Sequence, residues 1–96
     1  MQLKKIKEIL KKHENELREK FGIREIMIFG STVRGEATEK SDVDILAEFE
    51  KDISLLDLVK AELYISRLLG IKVDLIPKED LREELKDRIL REAVPI

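Results

Sequence analysis

The stretch whose reading decides the fold runs from Ile26 to Leu46: Ile26-Met27-Ile28-Phe29-Gly30-Ser31-Thr32-Val33-Arg34-Gly35-Glu36-Ala37-Thr38-Glu39-Lys40-Ser41-Asp42-Val43-Asp44-Ile45-Leu46. Arg24 to Phe29 is a short, mostly apolar run with β-branched residues that stops at Gly30, which predicts a buried strand. Gly30 has no Cβ, so a ligand can approach the backbone closely. Ser31 then offers a hydroxyl and an N–H at the start of a short helical turn, and such an end suits a phosphate. Arg34 lies one turn on, where its guanidinium can add a cationic fork. Gly35 lets the chain leave the turn with positive φ. Asp42 and Asp44 enter a second strand, predicted over Val43 to Phe49. Residues i and i+2 of a strand share a face, so the two carboxylates lie side by side. Unpaired they repel, and one tends to hold a proton. A divalent cation removes that cost. Magnesium takes oxygen ligands, usually one or two carboxylates together with substrate phosphates.

A third acid lies further along. Asp74 sits in the apolar run Val73-Asp74-Leu75-Ile76, where a lone carboxylate is expensive to bury. If this strand lies beside the one carrying Asp44, three carboxylates converge, which is the composition of a two-metal site for in-line displacement at phosphorus. Plainer readings stand beside this one. Asp42 and Asp44 can belong to a solvated turn, and Asp74 can be an edge-strand acid facing water. Arg34 can form a surface salt bridge to Glu36 or Glu39. Lys40 and Ser41 can touch phosphate, with a plain loop role preferred. His13 reads as a helix-surface residue and Tyr64 as core or interface packing. The joint occurrence of Gly30, Ser31 and the acids, at this spacing, favours a site.

The flanks supply helices. Leu3, Ile6, Ile9, Leu10, His13 and Leu17 recur at helical spacing, predicting one amphipathic helix from about residue 3 to residue 20. Gly22 sits at its C-terminal cap position. Ser54-Leu55-Leu56-Asp57 is a capping-box-like start to a helix that runs to Leu69 and closes at Gly70. Ile71 to Ile76 is a third strand, stopped by Pro77. Asp80-Leu81-Arg82-Glu83 is a fuller capping box, predicting a last helix with Leu81, Leu85, Ile89 and Ala93 on one stripe and Pro95 beyond it. The expected class is α/β (α+β): a small mixed three-stranded sheet with helices packed on it. Apolar positions near Val94-Pro95-Ile96 are expected to be exposed and free for a partner.

Composition narrows the function. The chain has 96 residues, expected to form one domain, with no repeat or low-complexity linker. Hydrophobic residues are 43% and the net charge is -2, which excludes disorder by composition. The absence of cysteine excludes a disulfide scaffold, zinc fingers and a thiol nucleophile, and a single histidine excludes a His-rich metal site. No apolar run approaches the roughly 20 residues of a membrane helix. Met1-Gln2-Leu3-Lys4-Lys5 lacks the apolar stretch of a signal peptide, so the cytoplasm is the expected compartment. General nucleic-acid binding is disfavoured: the chain is slightly acidic and has no Trp, one Tyr and three Phe. Its N-terminal lysines alternate with glutamates as on a solvated helix face. The Lys and Glu enrichment hints at a hot environment.

Taken together, Gly30, Ser31, Asp42, Asp44 and Asp74 resemble the signature of the minimal nucleotidyltransferases of the DNA polymerase β superfamily. That signature is Gly-Ser after a strand, a spacer of about ten residues, then Asp-x-Asp, with a third acid on a later strand. The segment IMIFGSTVRGEATEKSDVDIL is similar to the family pattern, and the rest matches in element order and length. Thr32-Val33 stand where the family often carries Arg-Ala.

The resemblance implies a polymerase-β-like fold and transfer of AMP from ATP to an acceptor, with pyrophosphate leaving. Gly30 and Ser31 would hold the β- and γ-phosphates, with Arg34 beside them. Asp42 and Asp44 would bind two magnesium ions. Asp74 would bind the catalytic metal and help deprotonate the acceptor hydroxyl. Larger relatives add domains that grip their acceptors, and this chain has no room for one. Small members resemble the antitoxins of toxin–antitoxin pairs whose partner, encoded by a neighbouring gene, is a helical HEPN ribonuclease. The resemblance therefore implies a type VII-like antitoxin that transfers AMP to a toxin tyrosine. The alternatives are a stoichiometric antitoxin that neutralises by contact, or a transferase acting on a small molecule or an RNA end.

Overall fold

The computed structural model describes residues 1–96. Its helices are α1 (Leu3–Lys12), α2 (Glu14–Phe21), α3 (Ser31–Arg34), α4 (Leu55–Leu69) and α5 (Glu83–Glu92). Its strands are β1 (Ile23–Phe29), β2 (Val43–Phe49), β3 (Val73–Pro77) and β4 (Val94–Pro95). The sheet is mixed, in the order β3-β2-β1-β4. β1 runs antiparallel to β2 and β4, while β2 and β3 are parallel and joined by the α4 crossover. No helix is long and apolar enough to cross a membrane.

Alternation along the strands divides the sheet into two faces. Ile26 and Ile28, Val43, Ile45 and Ala47, and Val73 and Leu75 join one buried cluster with Ile6, Leu10 and Leu17 of the first two helices and Ala61, Ile65 and Leu69 of α4. Each fully buried aliphatic side chain contributes about 1.5–3 kcal/mol, so this face holds the sheet flat against the helices. The intervening residues, Asp44 and Asp74 among them, belong to the opposite face.

The structure corrects the sequence reading at four places. The first helix is broken at His13 (φ -104°, ψ 12°). The Nδ1–H of His13 donates to the Ile9 carbonyl at 2.9 Å. Its backbone N–H turns instead to the Leu10 carbonyl at 3.2 Å, as expected where a side chain competes for a helical carbonyl. The last helix starts at Glu83, not after Asp80. Lys78–Asp80 close a 3-10 turn, Leu81 and Arg82 are extended, and no side chain caps the helix. β3 starts at Val73, because the Ser66 hydroxyl takes the Ile71 carbonyl at 2.6 Å in the turn before it. It also reaches Pro77, whose missing N–H is harmless at a sheet edge.

The fourth correction concerns the C-terminal residues. Val94 and Pro95 form a short fourth strand on β1, and Ile96 N–H donates to Ile26 O at 3.3 Å. Val94 and Ile96 are half-buried rather than free apolar surface. The middle of the molecule agrees with the reading. Ser54 caps α4 by accepting from Asp57 N–H at 3.1 Å, and Gly22 and Gly70 close their helices in the left-handed conformation.

Candidate active site

The site lies where β1 ends and β2 and β3 begin, on the face away from the helical core. β1 delivers Phe29 opposite Asp44, and the parallel register sets Asp44 beside Asp74. Neighbouring strands are about 4.8 Å apart, so the two carboxylates share one small area. Asp42 lies just ahead of β2 and is paired loosely with Lys72 at 3.9 Å.

Gly30 is the hinge of the arrangement. Its backbone (φ 80°, ψ -153°) is a conformation open essentially to glycine alone. A Cβ placed there would overlap Asp44 Oδ2 and stand 3.1 Å from Asp44 Cγ. The glycine therefore turns the chain from β1 into α3 and at the same time lets the Asp44 carboxylate lie against the backbone. α3 follows at once, its Val33 and Arg34 amides bonded to the Gly30 carbonyl at 3.1 and 3.2 Å. Gly35 (φ 73°) releases the turn.

Electrostatics single out Asp44. Burial pushes its carboxyl above the ordinary value, and the charges of Asp74 and then Asp42 push it the same way, against a pull from Arg34. Asp44 is thus a crowded anion with spare affinity for a cation. The donors are all hard oxygens, the set that suits magnesium. They do not converge into a cage as expected: no group of three acidic or histidine side chains is placed to hold an ion. Like charges repel, Asp42 leans toward Lys72 and Asp74 is exposed. An oxygen set of this kind matches an ion that completes its coordination with phosphate oxygens and water.

Arg34 is exposed and doubly engaged. Its Nε donates to Glu36 at 2.7 Å and its terminal nitrogen to Glu92 at 2.6 Å. The salt bridge to Glu36 matches one of the two partners weighed from sequence, while Glu39 takes no part. Glu92 was not legible. One of its oxygens meets Arg34 and the other accepts from the Gly30 N–H at 3.1 Å. The hydrogen bond from Arg34 holds the Glu92 carboxyl below its ordinary value. The available signal was an acid in register with Leu85 and Ile89 on the inward stripe of α5. Gly30, Arg34, Asp44 and Glu92, with Phe29, Arg88 and Ile89, line an open depression of about 490 Å³.

Other candidates fall away. Ser41 Oγ accepts from Thr38 N–H at 2.9 Å, and Ser41 N–H returns to the Thr38 carbonyl at 3.0 Å, a loop role. Tyr64 packs edge-on to Phe21, lies under Lys20 and bonds Glu16. It is a packing residue.

A family model described as the nucleotidyltransferase domain matches residues 10–96. The chain belongs to this nucleotidyltransferase family. It is 52% identical over 92 residues to the protein adenylyltransferase MntA of Thermococcus cleftensis, covering 96% of this chain and 93% of that protein. A solved structure of a candidate minimal nucleotidyltransferase superposes with a TM-score of 0.82 at 35% identity, covering 100% of this chain and 97% of that one. In a third case the fold alone is shared. This is a complex of a tri-AMPylated Shewanella oneidensis HEPN toxin with its MNT antitoxin (TM-score 0.70, 16% identity, 94% of this chain and 70% of that chain). The chain is a minimal nucleotidyltransferase with the polymerase-β-like fold, as its sequence motif implied.

Proposed function

We propose that this nucleotidyltransferase transfers AMP from ATP to a tyrosine hydroxyl of a HEPN-type toxin encoded beside it, and so acts as an antitoxin. One observation carries the reading: Asp44 is paired with Asp74 against the Gly30 turn, on the open face of the sheet. The related adenylyltransferase and the AMPylated toxin complex support the acceptor class.

In this reading Gly30, Ser31 and Arg34 receive the triphosphate, leaving the α-phosphorus near Asp44. Asp74 accepts the proton of the attacking hydroxyl. The hydroxyl oxygen bonds to the α-phosphorus, the bond to the pyrophosphate oxygen breaks, and pyrophosphate departs. Asp42, Asp44 and Asp74 would hold two magnesium ions, which when bound supply neutralisation of the charge on the transferring group. Positioning and charge neutralisation do most of the work in such transfers.

Neutralisation by contact is the second reading. It is favoured by the row of exposed apolar residues Leu55, Leu56, Val59 and Leu63 on α4. ATP labelled at the α- or the γ-phosphate, incubated with magnesium and the neighbouring gene product, separates the two. Label on the partner from the α position only, lost in an Asp42→Asn, Asp44→Asn double variant, is the expected result. Tight binding of the partner without transfer would replace catalysis by contact.

A further inference from the structure

Two of the three residues assigned above to the triphosphate, Gly30 and Arg34, already carry an anion from the protein itself. Glu92 Oε2 accepts from Gly30 N–H at 3.1 Å, and Glu92 Oε1 from the Arg34 guanidinium at 2.6 Å. A carboxylate bridging one backbone amide and one guanidinium presents two oxygens to the same two groups that a phosphate would bridge. Its charge also adds to the negative potential on Asp44. The Glu92 side chain and a bound triphosphate thus compete for the same donors, and repel each other.

Glu92 is brought there by the fold rather than by chance rotation of a long side chain. It is the last residue of α5, and the next elements pin it. Val94 pairs with Ile28, two residues before Gly30, and Ile96 bonds Ile26. The short β4 strand thereby fixes the end of α5 over the Gly30 turn. Ala93 N–H still caps the helix on Ile89 O at 2.9 Å, so the backbone at this point is determined from both sides. Only the Glu92 side chain is free to leave.

We propose that Glu92 sets the nucleotide affinity of this enzyme: it occupies the triphosphate donors Gly30 and Arg34 in the free protein and is displaced when nucleotide binds. The inference rests on the reading of Gly30 and Arg34 as triphosphate donors. A site occupied by an internal competitor binds its ligand more weakly by the fraction of time the competitor is away. Glu92 also holds the Arg34 guanidinium at the lining of the depression, so it is in place when the carboxylate departs.

The test is calorimetric titration of wild type and Glu92→Gln with AMP-PNP and magnesium, with inorganic triphosphate, and with adenosine. Glutamine keeps the length but loses the charge that pairs with Arg34, which empties the closed state. Glu92→Gln should bind AMP-PNP and triphosphate about three- to tenfold more tightly, the factor expected if the closed state is roughly 70–90% populated. Adenosine affinity should not change. Equal or weaker binding of AMP-PNP by Glu92→Gln overturns the proposal and makes Glu92 a support of the site. Should neither protein bind AMP-PNP or triphosphate, the nucleotide reading of Gly30 and Arg34 falls, and this inference with it. A measurement on the wild type alone guards against a variant that folds poorly. Triphosphate should shift the Glu92 carboxyl carbon resonance together with the Gly30 amide. A Gly30 shift with an unmoved Glu92 carboxyl overturns the displacement.

Discussion

The Asp44 carboxylate lies in the space that a side chain at position 30 would fill: a Cβ on Gly30 would overlap Asp44 Oδ2 and stand 3.1 Å from Asp44 Cγ. A backbone turn and a carboxylate therefore share one volume, and the enzyme needs glycine there twice over. Gly30→Ala should cost about 1–3 kcal/mol for the backbone conformation alone, and it should push Asp44 away from Asp74. The expected outcome is a clear fall in Tm together with loss of transfer. A variant that melts like wild type and retains activity would show that the turn has another solution.

Asp44 gives a pH-dependent stability whose sign is set by its raised carboxyl. Between the ordinary carboxylate pKa and its own higher one, the folded chain binds more protons than the unfolded chain. This group's contribution to stability therefore falls as pH rises through that window. Asp44→Asn removes the effect. In metal-free buffer at neutral pH the variant should melt above wild type. The difference should vanish as the pH falls below the ordinary carboxylate range. A variant less stable than wild type at pH 7 would mean that Asp44 is held by favourable contacts instead. Transfer activity should be lost in either event.

Magnesium with ATP should stabilise the protein through the same carboxylates. At free nucleotide a hundredfold above Kd, binding adds about 2.7 kcal/mol, against a Tm shift of about 4–8 °C per kcal/mol in a domain of this size. With EDTA, repulsion among Asp42, Asp44 and Asp74 is unrelieved and the gain disappears. Equal melting temperatures in the two buffers, measured by calorimetry, would argue against nucleotide binding at this site.

Ser54→Ala provides a contrast distant from the chemistry. Ser54 accepts from Asp57 N–H at 3.1 Å and starts α4 just after the end of β2 opposite to Asp44. Loss of the cap should cost about 0.5–2 kcal/mol with transfer kinetics unchanged. A fall in activity at temperatures well below Tm would reveal coupling along α4 to the site.

Much of this was legible because its causes are local. The alternation of Val43, Asp44 and Ile45 sends one set of side chains into the core and the acid to the other face, whatever the partner strands are. Gly22, Ser54 and Gly70 end or start helices through bonds to residues at most five positions away. The Gly-Ser turn and the Asp-x-Asp spacing carried the family for the same reason. The break at His13 was local too, but it turns on a ring N–H competing for one carbonyl, which hydrophobic periodicity does not register.

The sequence by itself determined that a glycine turn and a pair of acids stand at strand ends, and that the apolar stripe of the first helix would pack against the sheet. Only the tertiary structure decided that Asp74 stands beside Asp44, that Val94 and Pro95 add a fourth strand, and that Glu92 lies on Gly30. The physical reason is sequence separation. Periods of 2 and 3.6 residues state which face is apolar, but not which strand lies next to which. Glu92 and Gly30 are 62 residues apart. Their bond exists because β4 pairs with β1, and a two-residue strand has no periodicity to announce it.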